Sequence, residues 1–474
     1  DLDAAQDAYR FGRIETAAAR IDAYTRDHGR DAHALIARLE QGHIRRTLGD
    51  LDASDAAFDA AHELVRRYDE APDVSLSRET LAAFTNLNAL PYRGTYVDRV
   101  LLYTYRALNA LERGETDAAR VELRRAYERQ RLAVAENAER IEAATQTAAA
   151  DGGGYDAARA MRDPRLRSGL DTQYATLNRF RGTFRGYADF ANPLTEWLQG
   201  VYHLGDAADG SDLEWARKAF ERTAGMTPGN PYLEADLAMA ERIAAGGPDE
   251  PTVWVVLATG VAPRLESVRL DIPLFLFGGG VDYVGANFPY LVPHPVAPGP
   301  LTVTADGRSA TTRPLADIDA MVAQRFERDL PAIVTKTLVA AGTKAAAAYA
   351  LRETFDHRDD TVTALVRIFA TVYQYAANQA DLRTWATLPK RYEVARLPLP
   401  TTGKITLSMP GAPPTETTLG PGTYHVVVVR SVTPGTPGSF ARVSQFSLGP
   451  PVSPEDLPAP VEPTRPQIVM ESPR

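Results

Sequence analysis

The sequence predicts an α+β multidomain fold: an α-solenoid of helical pairs, then a composite α/β unit with antiparallel strands and a small β-sandwich-like region. Three observations carry this. Apolar residues recur at helical spacing up to residue 246, in segments joined by Gly–acidic turns. At Gly246-Gly247-Pro248 the pattern changes to short apolar or alternating strands punctuated by Gly and Pro. From Gly449 to Arg474 the chain is Pro-rich without any period, the pattern of an extended tail. The division is therefore a helical domain over 1–246, irregular and broken near 151–154, and an α+β domain over 247–448. Within the latter, strands occupy 252–313, helices 315–378 and strands 392–448, and the tail is 449–474.

The helices follow in order. Leu2 to Tyr24 places Ala5, Ala8, Tyr9, Ile14, Ala17 and Ile21 on one side, with a turn at Phe11-Gly12-Arg13. Ala32 to Leu48 and Leu51 to Tyr68 flank Gly49-Asp50; Asp98 to Arg113 and Thr116 to Ala144 flank Gly114-Glu115. Leu194 to Leu204, Leu213 to Ala224 and Tyr232 to Ala245 complete the series. Ala107, Gly114, Ala118, Ala119 and Ala126, and again Ala216, Ala219, Phe220, Ala224 and Pro228, put small residues at tight crossings and a turn between helices. These units resemble tetratricopeptide (TPR) repeats, in which each pair bares an apolar stripe that its neighbour covers. Pro72 to Tyr96 interrupts the series.

In the second half, Thr252 to Thr259 reads as a buried strand, and Ser267 to Ile272, Leu274 to Phe277 and Val281 to Val284 as further strands. Gly278-Gly279-Gly280 is a hairpin turn rather than a phosphate loop, since neither a P-loop nor a dinucleotide glycine pattern follows. Phe288 to Pro293 reads as an edge or an irregular surface segment. Asp306-Gly307 between Leu301–Ala305 and Ser309–Arg313 marks a tight hairpin. Ile318 to Asp329 is amphipathic; Pro331 opens a second helix, Ala332 to Thr354, and Asp360 to Asn378 a third. Tyr392–Leu397, Lys404–Ser408, Thr423–Arg430 and Ala441–Leu448 fit a small antiparallel sandwich.

Composition narrows the chemistry. Of 474 residues, 44 % are hydrophobic and 24 % charged, a balance that folds. Lys and Arg total 52 against 61 Asp and Glu, and the net charge of −9 speaks against a nucleic-acid partner. The absence of cysteine excludes disulfides, Cys-ligated zinc, iron–sulfur clusters and cysteine nucleophiles. His28, His33, His43 and His62 form no pair spaced for zinc, and Asp356, Asp359 and Asp360 around His357 suit helix capping better than a metal. No cofactor, metal or catalytic residue is expected. The stretch Pro331–Leu351 carries Lys336 and Lys344 and reads as a packed helix, not a span. The chain opens at Asp1 inside a helical pattern, so it is read as processed or trimmed, with any lipid anchor outside it.

The segments Tyr96–Leu102 with Tyr105, Ala107, Leu108 and Asn109, then Gly114 and Asp117–Arg125, resemble a family of bacterial secreted or lipoprotein-type proteins with a TPR-like N-terminal half. Gly260–Pro263, Ala380–Trp385, Leu388-Pro389 and Val394–Leu397 extend the resemblance, which covers roughly 96–130 and 250–450. It implies an envelope location and no reaction. On physical grounds Asp381, Arg383 and Trp385 form a domain-joining knot: an Arg–carboxylate pair with a stacked Trp. Phe180, Phe184, Arg185, Tyr187 and Phe190 form an aromatic–arginine cluster for docking on a core or for ligand or partner contact. The expectation is a non-enzymatic scaffold of the envelope, in the periplasm and attached to the outer membrane. It would bind other protein chains, or copies of itself, through a concave inner surface of its helices and through its tail. Two alternatives stand beside it: an envelope enzyme acting on glycan with a carboxylate pair, and a small-ligand-binding periplasmic module.

Overall fold

The computed structural model describes residues 1–70, 91–150, 157–175, 177, 191–275, 281–295, 298–355, 380–433 and 440–457. The Phe180–Phe190 cluster, Gly278–Gly280, the Asp356–Asp360 group, the 360–378 helix and the tail beyond residue 457 lie outside the described residues.

Helices pair from the N terminus: α1 (Leu2–Arg10) with α2 (Ile14–His28), α3 (Ala34–Leu48) with α4 (Leu51–Glu70), and α5 (Tyr96–Glu112) with α6 (Thr116–Ala150). The short α7 (Ala157–Ala160) and α8 (Pro164–Tyr174) follow. The series resumes with α9 (Pro193–Gly205), α10 (Gly210–Met226) and α11 (Pro231–Ala244). Local chemistry sets the starts. Thr95 and Asp98 cap α5 reciprocally, each side chain accepting from the other's backbone N–H at 3.1 and 2.7 Å. Asn192-Pro193 and Asn230-Pro231 open α9 and α11, each Asn side chain accepting from the N–H two residues on and each Pro taking the first helical position. Close crossings set the pairing: a Cβ on Gly42 of α3 would lie 2.4 Å from the Phe58 ring of α4, and one on Gly200 of α9 would lie 2.7 Å from Phe220 of α10. Helix packs on helix in chain order from α1 to α6 and again from α9 to α11, a solenoid-like succession, and α6 also touches α9.

The strands are β1 (Thr252–Thr259), β2 (Arg264–Phe275), β3 (Val281–Val292), β4 (Thr302–Ala305), β5 (Arg308–Thr311) and β6 (Arg313–Asp317), then β7 (Arg391–Pro398), β8 (Lys404–Ser408), β9 (Thr415–Thr418), β10 (Tyr424–Ser431) and β11 (Arg442–Leu448). A five-stranded sheet has the order β11-β10-β1-β7-β6, and a four-stranded one β5-β4-β8-β9. The 392–448 strands thus divide between two sheets instead of forming an antiparallel unit of their own, and β1 runs parallel to β10. The reason is β1, apolar on both faces and buried throughout, which needs a neighbour on each edge and cover on each side. Val253, Val255 and Leu257 face Leu301, Val303, Ile405 and Leu407 of the smaller sheet's layer. Trp254, Val256 and Ala258 join the core that the helices share with Tyr392, Tyr424, Val426 and Phe446. The order of layers is helices, five-stranded sheet, four-stranded sheet. The inner face of the helical series carries the chain's own sheet, where the sequence reading places a partner.

Asp306 and Gly307 sit at φ 47° and 75°, the positive values of the expected tight turn joining β4 and β5. β2 and β3 are longer than the pattern predicts and pair over their whole length as a separate ribbon. Across Pro331 there is one helix, α12 (Ile318–Phe355), where two are expected. Proline removes one N–H, but Phe326, Leu330, Val334 and Leu338 on both sides of it pack into the same two clusters with the β2–β3 ribbon, and that burial keeps the helix continuous.

Candidate functional site

The segment before β7 straps the sheet to the N-terminal helices. Arg383 donates to both carboxylate oxygens of Asp381 at 2.8 Å and to the Ala32 carbonyl at 2.9 Å, with its guanidinium 5.5 Å from the Tyr92 ring centre. Trp385 does not stack on that pair; it is buried among Phe58, Tyr105 and His43 at 5.8–6.2 Å between ring centres. One residue on, the Ala386 N–H and the Thr387 hydroxyl donate to Glu40 of α3, which also accepts from Gln6 at 2.7 Å. Glu40 is fully enclosed, and burial raises its pKa to about 7 against the lowering by these donors.

Beside the strap, α3 and α5 meet the five-stranded sheet around a cavity of about 30 Å³, room for one or two waters. His43, Arg46, Thr47, Tyr105, Tyr392, Arg430, Arg442 and Ser444 are among the residues that line it. Glu112 joins two of the arginines: it accepts from Arg46, from Arg442 at 2.6 Å and from Ser444 at 2.8 Å. Arg46 also donates to Asn109, and Arg442 to the Arg46 carbonyl. Arg430 is held by neutral acceptors: the Tyr9 hydroxyl at 3.0 Å, the Ala258 and Ser431 carbonyls at 3.0 and 2.9 Å, and the Thr387 carbonyl at 3.4 Å. Tyr105 and Tyr392 share a hydrogen bond, and burial raises both phenols, Tyr392 to about 12. Burial, followed by the charges of Arg430 and Arg46, drives His43 well below the usual imidazole range, so the ring is neutral.

Another buried carboxyl closes the other end of the interface. Asp236 of α11 accepts from the Trp197 and Trp254 indoles at 3.1 and 2.8 Å and pairs with Arg396 at 3.0 Å. Its enclosure raises its pKa to about 6 against those three partners. Glu40, Glu112 and Asp236 each accept from donors of their own chain. Chemically they join layers, as acceptors spent on protein groups.

Asp381, Arg383 and Trp385 come together in one strap. The sequence reading missed Arg430, Arg46, Glu112, Arg442, Glu40 and Asp236. The available signal was an arginine at the end of the most apolar strand, and an aspartate at an apolar helical position between Leu233 and Met239. No helix among the described residues is long and apolar enough to cross a membrane. No protein-family model, curated protein or solved structure matches this chain.

Proposed function

We propose that this chain is a non-enzymatic assembly component of the bacterial envelope, periplasmic and held at the outer membrane, akin to the secreted or lipoprotein-type proteins its sequence resembles. One observation carries the reading. The second helices of two pairs, α6 and α10, turn away from the sheet and leave large apolar side chains in solvent: Val121 49 %, Leu132 46 % and Trp215 42 % exposed. Trp215 packs edge-on against Tyr127, 5.6 Å between ring centres, so the two helices share this surface. Large apolar groups left in solvent on these helices favour a protein partner. The partner contact therefore moves from the inner face, which the sheet occupies, to the outer one. The beginning of the tail lies along the second core, with Val452 and Leu457 packed there.

Capture from an envelope fraction tests this. The full chain should retain defined proteins, identified by mass spectrometry, and the Leu132→Asp/Trp215→Asp variant should lose them by about tenfold or more at unchanged circular dichroism. Equal recovery by the variant overturns the proposal.

A further inference from the structure

We propose that the cavity between α3, α5 and the five-stranded sheet binds one small inorganic anion of the size and charge of chloride. Three arginines line it, Arg46, Arg430 and Arg442, and one carboxylate, Glu112, joins two of them. Glu112 is divided between Arg46 and Arg442. Arg430 is 5 % exposed, and among the described residues no carboxylate pairs with it. The other polar groups of the wall supply no negative charge: Tyr105 and Tyr392 are protonated phenols bonded to each other, and Thr47 and Ser444 are hydroxyls. His43 is neutral, 2 % exposed, and its Nδ1 has no hydrogen-bond partner. The wall therefore carries more positive than negative charge in a place where water does little to screen it. Uncompensated buried charge is costly, and a counter-ion inside the cavity removes the imbalance. The volume admits a monatomic ion and excludes a nucleotide or sugar. An unpartnered imidazole and guanidinium N–H groups are the ligands such an ion takes up.

Thermal unfolding of the full chain, followed in sodium chloride and in sodium gluconate at equal ionic strength, reads this out. Chloride should raise the midpoint by about 2–4 °C, saturably, over gluconate, which is too large to enter. Arg430→Gln should abolish the difference, and Arg442→Gln, on the more exposed side, should weaken it if the first variant does not fold. Crystals grown with bromide should show an anomalous peak inside the cavity. An identical midpoint in both salts for the wild-type chain, or bromide crystals with no peak in the cavity, overturns the proposal.

Discussion

Glu40 shows what a single buried carboxyl does to this molecule. Its folded-state pKa, about 7, lies above the ordinary value of 4.5, so the fold favours the protonated form. Its contribution to stability is complete below pH 4.5, declines as pH rises and is gone above about 7. Asp236, at about 6, and Asp319, at about 7, shift in the same direction through burial. Urea titrations should accordingly find the wild-type chain more stable at pH 5 than at pH 8, with Glu40 supplying roughly 2–3 kcal/mol of the difference. Glu40→Gln should flatten that slope; an unchanged slope would mean that Glu40 keeps its charge in the folded state. The sequence made the Asp381–Arg383 pair legible because its members are two positions apart. It hid the partners of Glu40 and Arg430, because Thr387 and Tyr9 are brought there only by the packing of helix on sheet.

Elements were legible wherever a local period decided them. The helix pairs, the Asp306-Gly307 turn and the all-apolar β1 are of that kind. The β1–β10 pairing was not, since alternation tells which face a residue takes and says nothing of which distant strand lies alongside. Pro331 failed for a different reason. The sequence rule that proline starts a helix is about backbone donors, and here the burial on both sides outweighs it. Pro331→Ala should therefore restore an internal N–H without disturbing the packing, raising stability by about 1–3 kcal/mol in chemical denaturation. A lowered midpoint would show that α12 depends on the proline at that position.

For the whole molecule, the decisive fact is that one apolar core runs from Ala34 through Ile243 into Trp254 and Leu448. Residues 1–246 produced alone would bare Tyr105, Trp197 and Tyr202 along the face that the sheet covers. That fragment should keep far-ultraviolet helicity yet lose near-ultraviolet signal and bind a hydrophobic dye; a sharp, cooperative melt would show that the helices stand without the sheet. The same arrangement bears on biosynthesis. Tyr9 meets Arg430 across 421 residues, so the first helix leaves the ribosome long before the strand that anchors it. At ordinary elongation rates that interval is roughly 20–80 s, during which the nascent helices carry an uncovered greasy side and are natural clients for a holding chaperone.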